Sequence, residues 1–225
     1  MELLLLHNEK NYVVAVKPRG VLSQCASSVT GNVPDMVKLL SERLQADIFP
    51  VHRLDRETAG VMVYAKNKRA AAAFSALAAQ NGLDKRYLAA VTGKPEPPSG
   101  EMRDFLYHDV RKNKSYVVSR KRAGVKEALL DYALLDTRMY AESLISLVRI
   151  HLHTGRTHQI RVHMASIGHP LLGDTLYSSG KSPYKLQGQT LHAMTIGFIH
   201  PRTREYMEVT APLPEYFEKI LKDLR

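Results

Sequence analysis

The sequence predicts an α+β fold with a mixed, mostly antiparallel sheet and flanking helices. Short runs rich in β-branched and aromatic residues recur along the chain. Helical stripes sit between them, and the two do not alternate strictly, which argues against a parallel βαβ array. With 225 residues, 44% of them apolar or aromatic, the chain can bury one sizeable core, and a single domain over residues 1–225 is expected.

The elements follow in order. Leu3–His7 and Tyr12–Lys17 read as strands around the polar turn Asn8–Asn11, and Pro18 and Gly20 break the pattern. Residues 34–46 carry Met36, Val37, Leu39, Leu40 and Leu44 at helical spacing, with Pro34 near the start. Val61–Ala65 is a short apolar strand. Lys68–Gln80 is alanine-rich and helical, stopped by Asn81 and Gly82. Tyr87–Val91 reads as a strand, and residues 95–100 as a rigid polar loop. Leu129–Leu135 and Leu144–His153 look like strands, and Thr157–Ile167 like a helix closed by Gly168. A polar loop spans 178–189. Leu191–Ile199 and Glu205–Val209 are expected to pair, and Pro214–Leu224 to close the chain as an amphipathic helix.

Lys and Arg outnumber Asp and Glu by 32 to 22, giving a formal charge of +10. A field of that sign draws polyanions, nucleic acid first among them. The single cysteine, Cys25, excludes an internal disulfide and a Cys-based zinc site. No run approaches a membrane span, so no membrane partner and a cytoplasmic location are expected.

Three segments concentrate reactive side chains. The first is His52–Gly60, where Asp55 stands between Arg53 and Arg56 just before an apolar strand. Positive neighbours favour the ionised carboxylate that a nucleophile needs, and Gly60 allows close backbone approach. A loop salt-bridge cluster is the alternative. The second is Arg149–His163, within a stretch from Ser143 through Gly173 that contains no acid. A turn at Gly155 feeding a helix, with Arg156 at its entry, suits phosphate. His151 and His153 can share a strand face, but no metal-ligand motif is present, so no metal is expected. The third is Lys85–Gly93, where Tyr87 follows two cations and could stack on a base or move a proton; a strand-end tyrosine with a wet hydroxyl is the alternative. Residues 111–126 add seven Lys or Arg without one acid, the pattern of a phosphate-gripping hairpin or loop.

Taken together and in order, these segments resemble the RluA-type family of pseudouridine synthases. Lys17–Leu22 looks like the family's first motif and His52–Gly60 like its second. Lys85–Gly93 is similar to the tyrosine-bearing motif. Gly155–His163 resembles the third motif, continued by Gly168-His169-Pro170 and Gly173-Asp174. Leu191-His192-Ala193 and Ala211–Pro214 also fit. The resemblance implies one catalytic domain with a central RNA-binding cleft. It makes Asp55 the nucleophile, Arg161 its ion-pair partner, and Tyr87 a neighbour of the base that assists proton removal. Ile160 would pack near that base and Arg53 would replace it in the helix. Lys17, His52 and Arg156 complete the expected substrate-binding set. Two departures stand out: Ala59 replaces the usual serine, and the small RNA-binding domain that many relatives carry before the first motif is not expected here.

Isomerising uridine needs no redox cofactor, ATP or metal, and no dinucleotide or P-loop glycine pattern occurs. The base must leave its stack, at a cost of a few kcal/mol that a pocket and a wedge such as Arg53 offset. Attack by Asp55 at the anomeric carbon, assisted loss of the 2′ proton, and attack on the ring all remain open. The expected partner is structured ribosomal or transfer RNA, met by a monomer without nucleotide cofactor. A non-catalytic RNA-binding protein fits the charge equally well, but does not require Asp55, Tyr87 and Arg161 together. A histidine-metal nuclease lacks the carboxylates it would need.

Overall fold

The computed structural model describes residues 3–25, 33–140, 142–178, 186 and 188–223. The chain forms two compact units: Met1–Lys85 with Ala193–Pro212, and Arg86–His192 with Leu213–Arg225.

The first unit contains β1 (Leu5–Asn8), β2 (Tyr12–Lys17), α1 (Met36–Leu44), β3 (Phe49–Pro50), β4 (Ala59–Ala65) and α2 (Lys68–Ala79). Most of β10 (Leu191–Ile199) and all of β11 (Tyr206–Thr210) complete it. The strand order is β1-β2-β4-β10, with β11 on β10 and β3 on β4. Antiparallel registry sets Lys17 beside Gly60, so the end of β2 lies against the start of β4. All seven residues of β4 are buried, which matches its apolar run. Gly60 has φ +129, and a Cβ there would overlap the carbonyl of Ala193, so the close approach needs glycine. Asp35 caps α1 by accepting from Lys38 N at 3.0 Å, and Asn67 caps α2 through Ala70 N at 2.9 Å. The alanine-rich face of α2 brings Phe74 into edge contact with Tyr12 and Phe198, at 5.3 and 5.1 Å between ring centres.

The second unit orders β5 (Leu83–Thr92), β9 (Ser143–Leu152), β8 (Val125–Tyr140), β6 (Ser99–Asp109) and β7 (Lys114–Val118) side by side. Successive pairs in that order are antiparallel. Helix α3 (Gln159–Ser166) places Val162 against Leu106 and Ala128, and α4 (Glu215–Asp223) contributes Ile220 to a cluster with Ala90, Ile145 and Leu172.

The α+β class and the antiparallel pairing agree with the sequence reading, and Tyr12–Lys17 has the expected ends. Other boundaries shift. The strand expected over Tyr87–Val91 begins at Leu83, and that over Leu129–Leu135 runs from Val125 to Tyr140. Ser99 and Gly100, expected to end the loop over 95–100, instead open the eleven-residue strand β6, whose remaining residues carried no expectation. The helix expected over Thr157–Ile167 starts two residues later, because His158 adopts a left-handed conformation (φ +55). The polar loop over 178–189 lies largely outside the described residues. No described helix is long and apolar enough to cross a membrane.

Candidate active site

Asp55 lies in the loop between β3 and β4, and that loop is pinned by residues 17–23. Leu54 N donates to Ser23 Oγ at 3.0 Å, and the same hydroxyl donates to Leu54 O at 2.9 Å. Gly20 N donates to Arg56 O at 2.9 Å, and Arg56 Nε returns a bond to Gly20 O at 3.0 Å. Arg19 Nε reaches Glu57 O at 3.2 Å. Thr58 N closes a turn on Asp55 O at 3.0 Å. Leu54 and Thr58 are buried on either side, while Asp55 stays partly open and Arg53 exposed. The backbone that carries the carboxylate is therefore fixed before any substrate arrives.

Lys17 is the centre of that cradle. Its side chain is fully buried, and Nζ donates to the carbonyls of Pro18, Val21 and Arg56 at 2.9, 2.7 and 2.9 Å. Burial pulls its pKa down to about 7, against the charges of Asp55 and Glu57, which hold it up. Three carbonyl acceptors also favour the ammonium. His52 faces inward as well: Nε2 accepts from Val63 N at 3.1 Å, which places the ring proton on Nδ1. Burial, with the positive charge of Lys85, pulls its pKa down to about 3, so the ring is neutral. Counted from sequence with the RNA contacts, both residues are turned towards the protein's own backbone.

In the second unit Tyr87 lies inside β5 rather than at its end. It is 5% exposed and stands opposite Ile150, which corrects the reading of a strand-end tyrosine with a wet hydroxyl. Ile160 and Arg161 are buried neighbours on α3. Arg161 donates from Nε and Nη2 to the two oxygens of Asp174, at 2.7 and 2.9 Å. The Asp174 side chain is fully buried, and Oδ1 also accepts from Leu176 N and Tyr177 N. This two-pronged pair fixes the plane of the guanidinium. Sequence reasoning took Asp174 as part of a motif and gave it no role. One signal was available: it is the first acid after an acid-free stretch that contains a buried arginine.

Gln159 too lies within the third motif and had no role assigned from sequence. Its buried amide ties the turn ahead of α3 together. Oε1 accepts from Thr154 Oγ1 at 2.8 Å and Arg156 N at 3.0 Å, and Nε2 donates to Leu129 O at 3.1 Å. Arg156 bonds through Nε to Glu127 O at 2.8 Å. His151 and His153 do share a face, and with Asp131 they place three ligand-type atoms within 4.8 Å of one another. His153 Nε2 meets Asp131 Oδ2 at 2.6 Å, a hydrogen bond that accounts for the grouping. The basic segment is β7 with its flanking turns and the first residues of β8. Arg111, Lys112, Arg120, Lys121, Arg122 and Lys126 are all exposed, and Lys114 partly so.

Residues 11–166 match the family described as RNA pseudouridylate synthase. The chain is 33% identical over its whole length to a Bacillus subtilis protein described as an uncharacterized RNA pseudouridine synthase, YlyB, and spans 74% of that protein. It is 36% identical over 77% of its length to the ribosomal large subunit pseudouridine synthase D of Zymomonas mobilis, and spans 55% of it. The solved structure of human RNA pseudouridylate synthase domain containing 4 is similar over 99% of this chain and 93% of that one. The two share 27% identity at a TM-score of 0.77.

Proposed function

Because the chain belongs to the RNA pseudouridylate synthase family, of the RluA type, we propose that it isomerises one or more uridines of structured ribosomal or transfer RNA with Asp55 as nucleophile. Members of that family are isomerases acting on RNA, and the relative acting on the ribosomal large subunit favours ribosomal RNA among the targets. The observation that carries the role of Asp55 is the cradle: residues 17–23 hold the loop on both sides of a carboxylate that is itself partly open.

In this reading Arg161, fixed by Asp174, is the ion-pair partner that holds Asp55 aimed at the uridine. Tyr87 lies against the target base and helps to remove the proton from carbon 5 after the ring has been rejoined. Ile160 packs beside the base. Arg53, exposed and permanently charged, fills the place the flipped base leaves. Arg156 meets phosphate at the entry to α3. Lys17 and His52 serve RNA binding through the loop they hold. The enzyme acts as a cytoplasmic monomer and needs neither nucleotide nor metal.

Asp55→Asn keeps the shape of the side chain and removes the charge needed for attack. Pseudouridine formed in ribosomal and transfer RNA from cells lacking this gene is the measurement, made in excess EDTA with no nucleotide added. The wild-type chain should convert its uridine under those conditions, and Asp55→Asn should form no detectable product while retaining RNA binding. Turnover by Asp55→Asn at the wild-type rate would remove Asp55 from the mechanism. Activity lost to EDTA and restored by zinc would favour chemistry at the histidines instead.

A further inference from the structure

Tyr177 follows Asp174 by three residues and stands where β7 meets the entry to α3. Ser115 N, in β7, donates to the Tyr177 hydroxyl at 2.7 Å. The same hydroxyl lies 3.1 Å from His158 Nδ1. The phenol can donate to His158 Nδ1 in the tautomer that carries the ring proton on Nε2. Burial pushes the phenol up, so it keeps that proton at neutral pH. Ser115 Oγ adds a second tie between the same elements, donating to Thr157 O at 2.7 Å.

The ring of Tyr177 is as well connected as its hydroxyl. It packs against Leu106, Ala128 and Val162. Arg161 Cζ lies 5.1 Å from its centre and Lys114 Nζ 5.2 Å. Its backbone N–H donates to Asp174 Oδ1 at 3.2 Å, on the carboxylate that grips Arg161. Asp174 holds one edge of the guanidinium, and the aromatic ring constrains the rest of a long, rotamer-rich side chain.

We propose that Tyr177 is a positioning residue, which holds Arg161 in the orientation the reaction needs and ties that orientation to the basic strand β7. This rests on the reading of Arg161 as the partner of Asp55. Tyr177 acts through Arg161 and not on the uridine. A phosphate drawn to Lys114 bears on the strand whose next N–H, at Ser115, holds the phenol, so RNA contact at β7 is one residue away from the setting of Arg161.

The test uses the full chain, with enzyme in excess over ribosomal and transfer RNA from cells lacking this gene. Tyr177→Phe keeps the ring and its packing and loses the hydroxyl. It should lower the single-turnover rate constant at saturating RNA by about fivefold. Tyr177→Leu also loses the ring, and should lower it by about tenfold or more. Dissociation constants for the RNA should stay within about twofold of wild type, a split that a merely structural role does not produce. Adding Lys114→Ala to Tyr177→Leu should cost less than Lys114→Ala costs in the wild type. Tyr177→Phe at the wild-type rate constant, a loss confined to RNA affinity, or strictly additive effects with Lys114→Ala would each overturn the proposal. Tyr177→Phe preserves the packing, so its result stands even where Tyr177→Leu folds poorly. Asp55→Asn is measured alongside. An inactive Asp55→Asn beside a wild-type-like Tyr177→Phe defeats the role of Tyr177 alone, whereas an active Asp55→Asn defeats the reading on which it rests.

Discussion

Asp174 and His163 show opposite ways of burying a polar group beside α3. The Asp174 carboxylate is fully buried but satisfied, by Arg161 and by two backbone N–H groups. Asp174→Asn would take from the buried Arg161 guanidinium the carboxylate that grips its Nε and Nη2, and breaking a buried pair from one side costs about 3–5 kcal/mol. Urea unfolding should show that loss in the midpoint, and single-turnover activity should fall with it. An unchanged midpoint would mean that the pair is not what anchors Arg161. His163 is fully buried, and among the described residues neither ring nitrogen has a hydrogen-bond partner; Asp104 lies 3.7 Å away. Burial holds its pKa below the ordinary 6.5, against the pull of Asp104. Between the depressed value and 6.5 the unfolded chain binds more protons than the folded one, so stability rises with pH in that window and falls as pH drops below about 6.5. His163→Leu should therefore flatten the acid limb of the melting temperature plotted against pH, and a limb as steep as that of the wild type would show that other groups control it.

Among the elements, β7 and its turns carry the electrostatic prediction. Arg120, Lys121 and Arg122 are exposed beyond the end of β7, and Arg122 lies over the Tyr107 ring at 5.6 Å. If these cations neutralise phosphates, replacing all three by alanine should weaken binding to every RNA tested. The slope of log affinity against log salt should flatten by up to about one unit per lost contact. Single-turnover chemistry at saturation should change little. Unchanged affinity and slope would make the stretch plain surface. The hairpin could be read from sequence because its charges are dense and Tyr116-Val117-Val118 punctuates them. Strand β6 was harder: only Met102 and Leu106 among its residues are buried, four apart, so no alternation reveals it. The far end of β8, at Asp136-Thr137-Arg138, is polar and joins the ladder through its partner β9, which local propensity does not record. The Asp55 loop was legible because its reactive groups are contiguous. Its support was not, since Lys17 reaches Arg56, Ser23 reaches Leu54 and Gly20 meets Arg56 only after the chain has folded back.

At the scale of the whole molecule, the net charge of +10 and the exposed basic turns point the same way, towards a polyanion held largely by its backbone. The arrangement of the chain carries a different lesson. The first unit is assembled from two stretches separated by the whole of Arg86–His192, and β4, apolar along its entire length, takes β10 as its neighbour from the second stretch. During synthesis, β4 therefore leaves the ribosome long before the strand that covers it. Until β10 emerges, the part of that edge of β4 which β3 does not cover stands open as a template for other chains. A nascent chain stalled or cleaved before Ala193 should be sticky in a way that the finished protein is not. A fragment ending at Thr190 should sediment as aggregate under conditions that keep the full chain dispersed, and addition of a peptide spanning residues 191–212 should reduce that aggregation. The order in which a ribosome delivers these strands is thus a hazard the cell has to manage, and a fragment that stays dispersed unaided would show that β4 finds other cover.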